Sequence, residues 1–435
     1  MRILEQIYQH YIKSHTISTD SRNITEGCVF VALKGERFDG NDFAYQVASE
    51  NVASCVIADR KDLPSHERIF IVDDSLAALQ ELARLHREKC NIPVIGITGT
   101  NGKTTTKELV AAVLSEKKRI IYTQGNFNNH LGVPLTLLRI KPETEMAVVE
   151  MGANHPGEIA QLCNIAKPDY GIVTNIGRAH IEGFGSYEGI IKTKNELYEY
   201  IKENGTIQKS KAFVNSNNKL LVKLTKEMDC VYYGSTDDCN TYENIAVGSK
   251  AASSSPYLVV NWDGIEIKTN LVGDYNLENV MAAIAVGSYF NIEKELIVKA
   301  LENYLPSNNR SQYIKSSKNE IVMDAYNANP TSMAASIRNF RNISNGNSLL
   351  ILGDMKELGN ESEKEHRIII DIINELKFED VILVGNEFKK VNTKFQSFSN
   401  IDDLIKHIDM NSISGKNILV KGSHSIHLER LINIL

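Results

Sequence analysis

The segment Thr98-Gly99-Thr100-Asn101-Gly102-Lys103-Thr104-Thr105 leaves this chain few folds to choose from. It follows an apolar run, Pro93-Val94-Ile95-Gly96-Ile97-Thr98, and opens a stretch with Leu109, Val110, Val113 and Leu114 at helical spacing. A buried strand, a glycine turn and a helix, in that order, gather backbone N–H groups and the positive end of a helix dipole around a phosphate. Lys103 adds a point charge for the β- and γ-phosphates, and the Thr104 hydroxyl can ligate Mg²⁺. The general phosphate-loop pattern would put its first glycine at 97, where this chain has Ile97, so the match is to the tail GxxGKT. A nucleotide switch or motor protein would carry that first glycine.

The alternation of strand and helix extends along the chain. Val29–Leu33, Ala53–Ala58 and Ile69–Val72 read as strands, and Ser75 to Cys90 as a helix with Leu76, Leu79, Leu82, Ala83 and Leu85 on one side. Ala147–Met151 and Tyr170–Thr174 read as buried strands, with a helix between them that has Pro156 near its first turn. Continuous apolar strands separated by helices predict a parallel sheet covered on both faces. Residues 206–272 carry shorter β-like pieces and polar turns, which read as an antiparallel edge or insertion. A small-residue helix from Asn276 to Tyr289 returns to the central unit, and Pro306–Ser311 reads as a linker. Beyond it, Ile321–Asp324, Leu349–Leu352, Val381–Val384 and Ile418–Val420 predict a doubly wound unit. The expected fold class is α/β with three domains. These are an N-terminal α/β domain (1–85), which the resemblance given below makes the substrate domain, a central P-loop parallel-sheet ATPase domain (86–306) and a C-terminal Rossmann-like domain (307–435).

Composition narrows the function classes. A length of 435 residues fits about three domains at roughly 150 residues each. The net charge of −6 argues against wholesale nucleic-acid or anionic-membrane binding. No apolar run reaches the roughly 20 residues that span a bilayer. The start Met1-Arg2-Ile3-Leu4-Glu5-Gln6 lacks an apolar signal core. Six cysteines, at 28, 55, 90, 163, 230 and 239, are scattered without a CxxC pair, as in a protein of reduced thiols. A cytoplasmic monomer without membrane insertion or nucleic-acid partner is expected.

Other residues sit where chemistry could use them, each with a plainer reading beside it. Glu150 and His180 fall at or beyond the carboxyl ends of two expected parallel strands, where ligands collect. A carboxylate there suits Mg²⁺, whereas His180 taken alone reads first as a structural loop histidine. Lys194 lies within an apolar helical face of Ile190, Ile191, Leu197, Tyr198 and Ile201. It reads either as a snorkelling or acid-paired lysine or as one whose burial frees a neutral amine. Asn276 and Asn279 share a helix face as caps or as ligands. Asp324-Ala325-Tyr326-Asn327-Ala328-Asn329-Pro330 is a polar turn or a ligand segment after a strand.

TGTNGKTT (Thr98–Thr105) together with NLENVMAA (Asn276–Ala283) resembles the Mur ligase superfamily of ATP-dependent amide-bond ligases. Further stretches resemble the branch that joins D-alanyl-D-alanine (D-Ala-D-Ala) to UDP-N-acetylmuramoyl-tripeptide (UDP-MurNAc-tripeptide). They are GNFNNHLGVPLTLL (Gly125–Leu138), EMGANHPGEI (Glu150–Ile159), TNIGRAHIEGFGS (Thr174–Ser186), DAYNANPTSM (Asp324–Met333) and GDMKELG (Gly353–Gly359).

The resemblance implies ATP and Mg²⁺ as cofactors, with the two substrates as small-molecule partners. It implies phosphate contacts from Gly99, Thr100, Asn101, Gly102, Lys103, Thr104 and Thr105. Thr104, Glu150, His180 and a carbamylated Lys194 would be the metal and catalytic set with Lys103. Asn276 and Asn279 would contact adenine, and Arg310 and Asp324 would close over the nucleotide from the third domain. Asp20, Ser21 and Arg22 would bind the UDP end, Asn128 and Asn129 the sugar–peptide, and Asn327 and Asn329 would face phosphate and dipeptide. Asn41, Tyr275, Asn309 and His424 depart from the family pattern, Tyr275 standing where a histidine is usual.

Overall fold

The computed structural model describes residues 3–179, 181–204, 210–235, 243–251, 256–306, 310–344, 346–391, 394–409 and 412–435. Three sheets carry the chain. The first is a parallel sheet of β1 (Ile17–Ser18), β2 (Val29–Val31), β3 (Cys55–Ala58) and β4 (Ile69–Ile71) in that order. β2 and β3 are buried throughout, as runs without polar alternation require when both faces are covered. The helix Ser75–Cys90 follows, begun by Asp74, whose side chain accepts from Ala77 N, and ended by Asn91 in the left-handed region. It packs on the first helix, Ile3–Ser14, and also on helices of the second unit, so one apolar cluster joins the two units.

The second sheet holds β5 (Val94–Thr98), β6 (Ile120–Tyr122), β7 (Met146–Glu150), β8 (Tyr170–Val173), β9 (Lys211–Asn215), β10 (Cys230–Ser235), β11 (Asn244–Lys250), β12 (Tyr257–Trp262) and β13 (Ile265–Val272). Their spatial order is β13-β12-β11-β10-β9-β8-β5-β7-β6. From β6 to β11 every pairing is parallel. Only β11–β12 and β12–β13 are antiparallel. The reading of 206–272 as an antiparallel edge or insertion therefore holds for its far end alone. β9 and β10 continue the parallel sheet, because the short helix Lys219–Leu224 supplies the crossover between them.

The third sheet, β14 (Gln312–Lys315), β15 (Glu320–Asp324), β16 (Ser348–Gly353), β17 (Val381–Val384), β18 (Gln396–Phe398) and β19 (Asn417–Lys421), runs in the order β14-β15-β19-β16-β17-β18. It is parallel except for its β14 edge. The carboxyl ends of β15 and β19 lie over the loop that leaves β5, so the site forms between the second and third sheets.

Candidate active site between the second and third sheets

The two loop glycines are required by space as well as by dihedral. Gly99 has φ +142°, and a Cβ there would lie 2.0 Å from Thr174 Oγ1. Gly102 has φ +79°, with its Cβ position 2.5 Å from Asn279 Oδ1. The loop is braced from the end of β8. Thr100 N donates to Asn175 O at 2.9 Å, Asn101 N to Asn175 Oδ1 at 3.0 Å, and Thr174 Oγ1 to Asn101 O at 2.6 Å. Lys103 opens the helix Lys103–Ser115 and curls back over the loop, its Nζ donating to Gly99 O at 2.9 Å and Thr100 O at 3.0 Å. Desolvation lowers its pKa, with Glu150 opposing and Arg310 adding to the shift.

Glu150 ends β7 beneath the loop. Its Oε1 accepts from Thr104 Oγ1 at 3.2 Å and from Asn128 Nδ2 at 2.8 Å. Its Oε2 is buried without a hydrogen-bond partner among the described residues, 3.9 Å from Lys107 Nζ. Lys107 is itself fully buried and 3.5 Å from Glu108 Oε1. A hydroxyl beside a carboxylate that keeps one unsatisfied oxygen is a hard-oxygen set fitting Mg²⁺, which takes few protein ligands and completes its shell with phosphate and water. Among the described residues no three His, Cys, Asp or Glu side chains converge as a ready-made cage. His180 lies outside the described residues.

Lys194 is 3% exposed on the helix Tyr187–Asn204, its Nζ 5.4 Å from the centre of the Phe184 ring. Burial, then the Lys103 charge, pushes its pKa down to about 7 against the pull of Glu196 and Glu158. It does not line the open cleft.

That cleft has a volume of about 960 Å³. Thr100 to Thr105, Asn128, Asn129, Glu150, Asn276 and Asn279 line it from one side, and Arg310, Asp324, Asn327 and Asn329 from the other. Asn279 Nδ2 donates to Asn276 Oδ1 at 2.9 Å and its Oδ1 accepts from Thr106 Oγ1 at 3.0 Å, tying the pair to the loop helix. Asn129 turns its own segment, accepting from Gly132 N at 2.9 Å. Asp324 receives Lys421 Nζ at 2.5 Å and Ser336 Oγ at 3.1 Å. Asn329 caps the helix Pro330–Ile343 and donates from Nδ2 to Asn101 Oδ1 at 2.7 Å, a direct bond between the two sheets' loops. Asp20, Ser21 and Arg22 do not line the cleft. They sit on the first unit, where Arg22 pairs with Asp20 at 2.7 Å.

Sequence reasoning passed over Lys107, Asn175 and Lys421. Lys107 stands one turn after Lys103, and nothing in its own stretch marks it as buried. Lys421, at the end of the apolar run Ile418–Val420, carries the same strand-end signal that singled out Glu150. With cations from both sides, a loop of N–H donors and a carboxylate–hydroxyl pair, the cleft can hold a polyphosphate with its terminal phosphate toward Glu150.

The sequence matches three family profiles, the Mur ligase family catalytic domain over residues 13–87, the Mur ligase middle domain over 97–287 and the Mur ligase glutamate ligase domain over 309–424. A relative from Bacillus subtilis, UDP-N-acetylmuramoyl-tripeptide–D-alanyl-D-alanine ligase, is 36% identical over 97% of this chain and 93% of its own length. A crystal structure of MurF from Acinetobacter baumannii superposes with a TM-score of 0.85 at 31% identity, covering 99% of this chain and 97% of that one. MurF from Thermotoga maritima in complex with ADP gives 0.83 at 29% identity, covering 96% of each chain.

Proposed function

This chain belongs to the Mur ligase family, and from that premise we propose that it joins D-alanyl-D-alanine to UDP-N-acetylmuramoyl-tripeptide. ATP is cleaved to ADP and phosphate, and the product is the UDP-MurNAc-pentapeptide precursor of peptidoglycan. The observation that carries the reading is the cleft itself, where the phosphate loop and Glu150 face Arg310, Asp324 and Asn329 across one cavity.

A carboxylate is a poor electrophile, so the tripeptide carboxylate oxygen first attacks the γ-phosphorus. The bond to ADP breaks and an acyl phosphate forms. The neutral amine of D-Ala-D-Ala then adds to the acyl carbon, and the tetrahedral intermediate expels phosphate as the nitrogen gives up a proton. Positioning and charge neutralisation supply most of the rate. Lys103 exchanges its contacts with Gly99 and Thr100 for phosphate oxygens. Arg310 and Asp324 hold the nucleotide from the third domain, Asn276 and Asn279 its base. Asn128 and Asn129 hold the sugar–peptide, and Asp20, Ser21 and Arg22 the distant UDP end.

Thr104, Glu150, His180 and carbamylated Lys194 would hold Mg²⁺, which supplies charge neutralisation at the phosphate oxygens when bound. Lys194 suits that role because its buried amine, pushed down to about 7, is largely neutral in mildly alkaline solution. The neutral nitrogen bonds to the carbon of CO₂ and releases a proton, turning a cation into an anionic oxygen ligand. We further propose a cytoplasmic monomer working as three units, residues 1–85, 86–306 and 307–435. Among the described residues no helix is long and apolar enough to cross a membrane.

The test is phosphate release from ATP with UDP-MurNAc-tripeptide, with and without D-Ala-D-Ala. Strong stimulation by the dipeptide, and not by single amino acids, is expected. No stimulation would overturn the assignment.

A further inference from the structure

Arg310 is placed by an uncommon backbone. The residue after it, Ser311, has φ +48°, in the left-handed region that costs a side-chain-bearing residue energy and persists only where neighbours over-determine it. Ser311 Oγ shares a 2.9 Å hydrogen bond with Tyr275 OH, and Ser311 N lies 3.4 Å from Asp324 Oδ1. On its carboxyl side β14 begins at once, fixed by pairing to β15. Any relaxation of Ser311 must therefore be taken up by Arg310.

The Arg310 guanidinium carbon sits 3.6 Å from the centre of the Tyr326 ring, and its Nε is buried without a hydrogen-bond partner among the described residues. It stacks on Tyr326, and the chain that carries it sets its direction. The Tyr275 ring lies against Gly273, at φ +101°, where a Cβ would come within 2.4 Å of it, so the glycine makes room for the ring.

We propose that Tyr275 is a positioning residue for Arg310. Its hydroxyl, reaching from the helical turn that begins the 276–289 segment, pins Ser311 in the left-handed conformation and so aims the guanidinium into the nucleotide cleft. The proposal rests on the reading of Arg310 as a nucleotide contact. It gives a function to a tyrosine that departs from the family pattern.

The test is calorimetric binding of the non-hydrolysable analogue AMP-PNP, with Mg²⁺, to the full-length protein and to Y275F, S311A, R310A and Y275F/R310A. Losing the hydroxyl's contacts with Ser311 and Ser336 should weaken binding about 3- to 10-fold in Y275F, and S311A, which removes the Ser311 bond alone, should weaken it in the same direction by at least about twofold. R310A should weaken it by about tenfold or more. In the R310A background Y275F should add less than about twofold, because the two act in series. A merely structural Tyr275 would instead lower Tm and cost the same in both backgrounds, which overturns the proposal. R310A weakened while Y275F and S311A bind normally also overturns it. R310A binding like the parent would remove Arg310 from the cleft, and with it both the reading and the inference. S311A carries the decision if Y275F does not fold.

Discussion

Lys194 occupies a position that an ordinary lysine would avoid. The helix Tyr187–Asn204 turns Ile190, Leu197, Tyr198 and Ile201 inward and takes Lys194 with them. The proposed carbamylation would give this buried lysine a role, and it can be measured. K194A should lose at least about tenfold in turnover and recover part of it with acetate or propionate. The parent protein, equilibrated with ¹³C-bicarbonate, should show a carbamate carbon signal that K194A lacks. Undiminished turnover in K194A would refute the role. The apolar face around Lys194 was legible because its spacing is local. The burial of Lys107 was not, because Tyr122 and Glu150 reach it from other strands, distant in the sequence.

Among the elements, the helix Ser75–Cys90 matches its expected span, with Leu79, Leu82 and Ala83 buried as the periodicity required. The pattern did not show why His86 and Arg87 are buried with them. They end polar gaps in other elements: His86 Nε2 lies 2.9 Å from Ile140 O, and Arg87 reaches Ala166 O, Lys167 O and Asp169. Such partners lie more than fifty positions away, beyond any window of local pattern. The parallel course of β9 and β10 was hidden similarly, since short strands do not reveal direction until their neighbours are known.

The surroundings of His86 give a pH prediction. Desolvation lowers its pKa, the Ile140 carbonyl opposes the shift, and His15 adds to it. The unfolded chain then binds a proton more readily than the folded one, so this residue's contribution to stability falls as pH drops through about 6.5. Tyr8, Tyr11, His15 and Cys90 surround the ring, so no nearby acid compensates among these neighbours. Urea unfolding between pH 8 and pH 5 should show a shallower loss in H86Q than in the parent. Parallel curves would show that His86 titrates alike in both states.

For the whole molecule, the third sheet meets the second through specific side-chain contacts as well as the Tyr275–Ser311 bond. Asn329 bonds Asn101, Arg178 Nη1 lies 3.4 Å from Glu365 Oε1, and Gly359 packs so closely that a Cβ would lie 3.2 Å from that of Glu182. Polar contacts of this kind are ones that the proposed closure of the third domain on nucleotide would use. N329S is a selective probe, because serine still caps the helix Pro330–Ile343 but cannot supply the amide donor. Combined with E365A, it should keep Tm within a few degrees while raising the AMP-PNP-bound radius of gyration toward the ligand-free value in small-angle scattering. An unchanged, compact radius would mean that closure does not use these contacts. Three sheets and their order of appearance were readable from apolar runs. The contacts that join them were not, because each pairs residues from different domains.

The curled Lys103 has one more consequence, for selectivity among anions. Its ammonium already satisfies two carbonyls of its own loop. A free orthophosphate must therefore displace bonds worth about 0.5–1.5 kcal/mol each while filling only a small part of the cleft. In the proposed reaction the curled side chain thus disfavours the inorganic phosphate that is released, and a ligand long enough to reach both sheets recovers the cost of uncurling it.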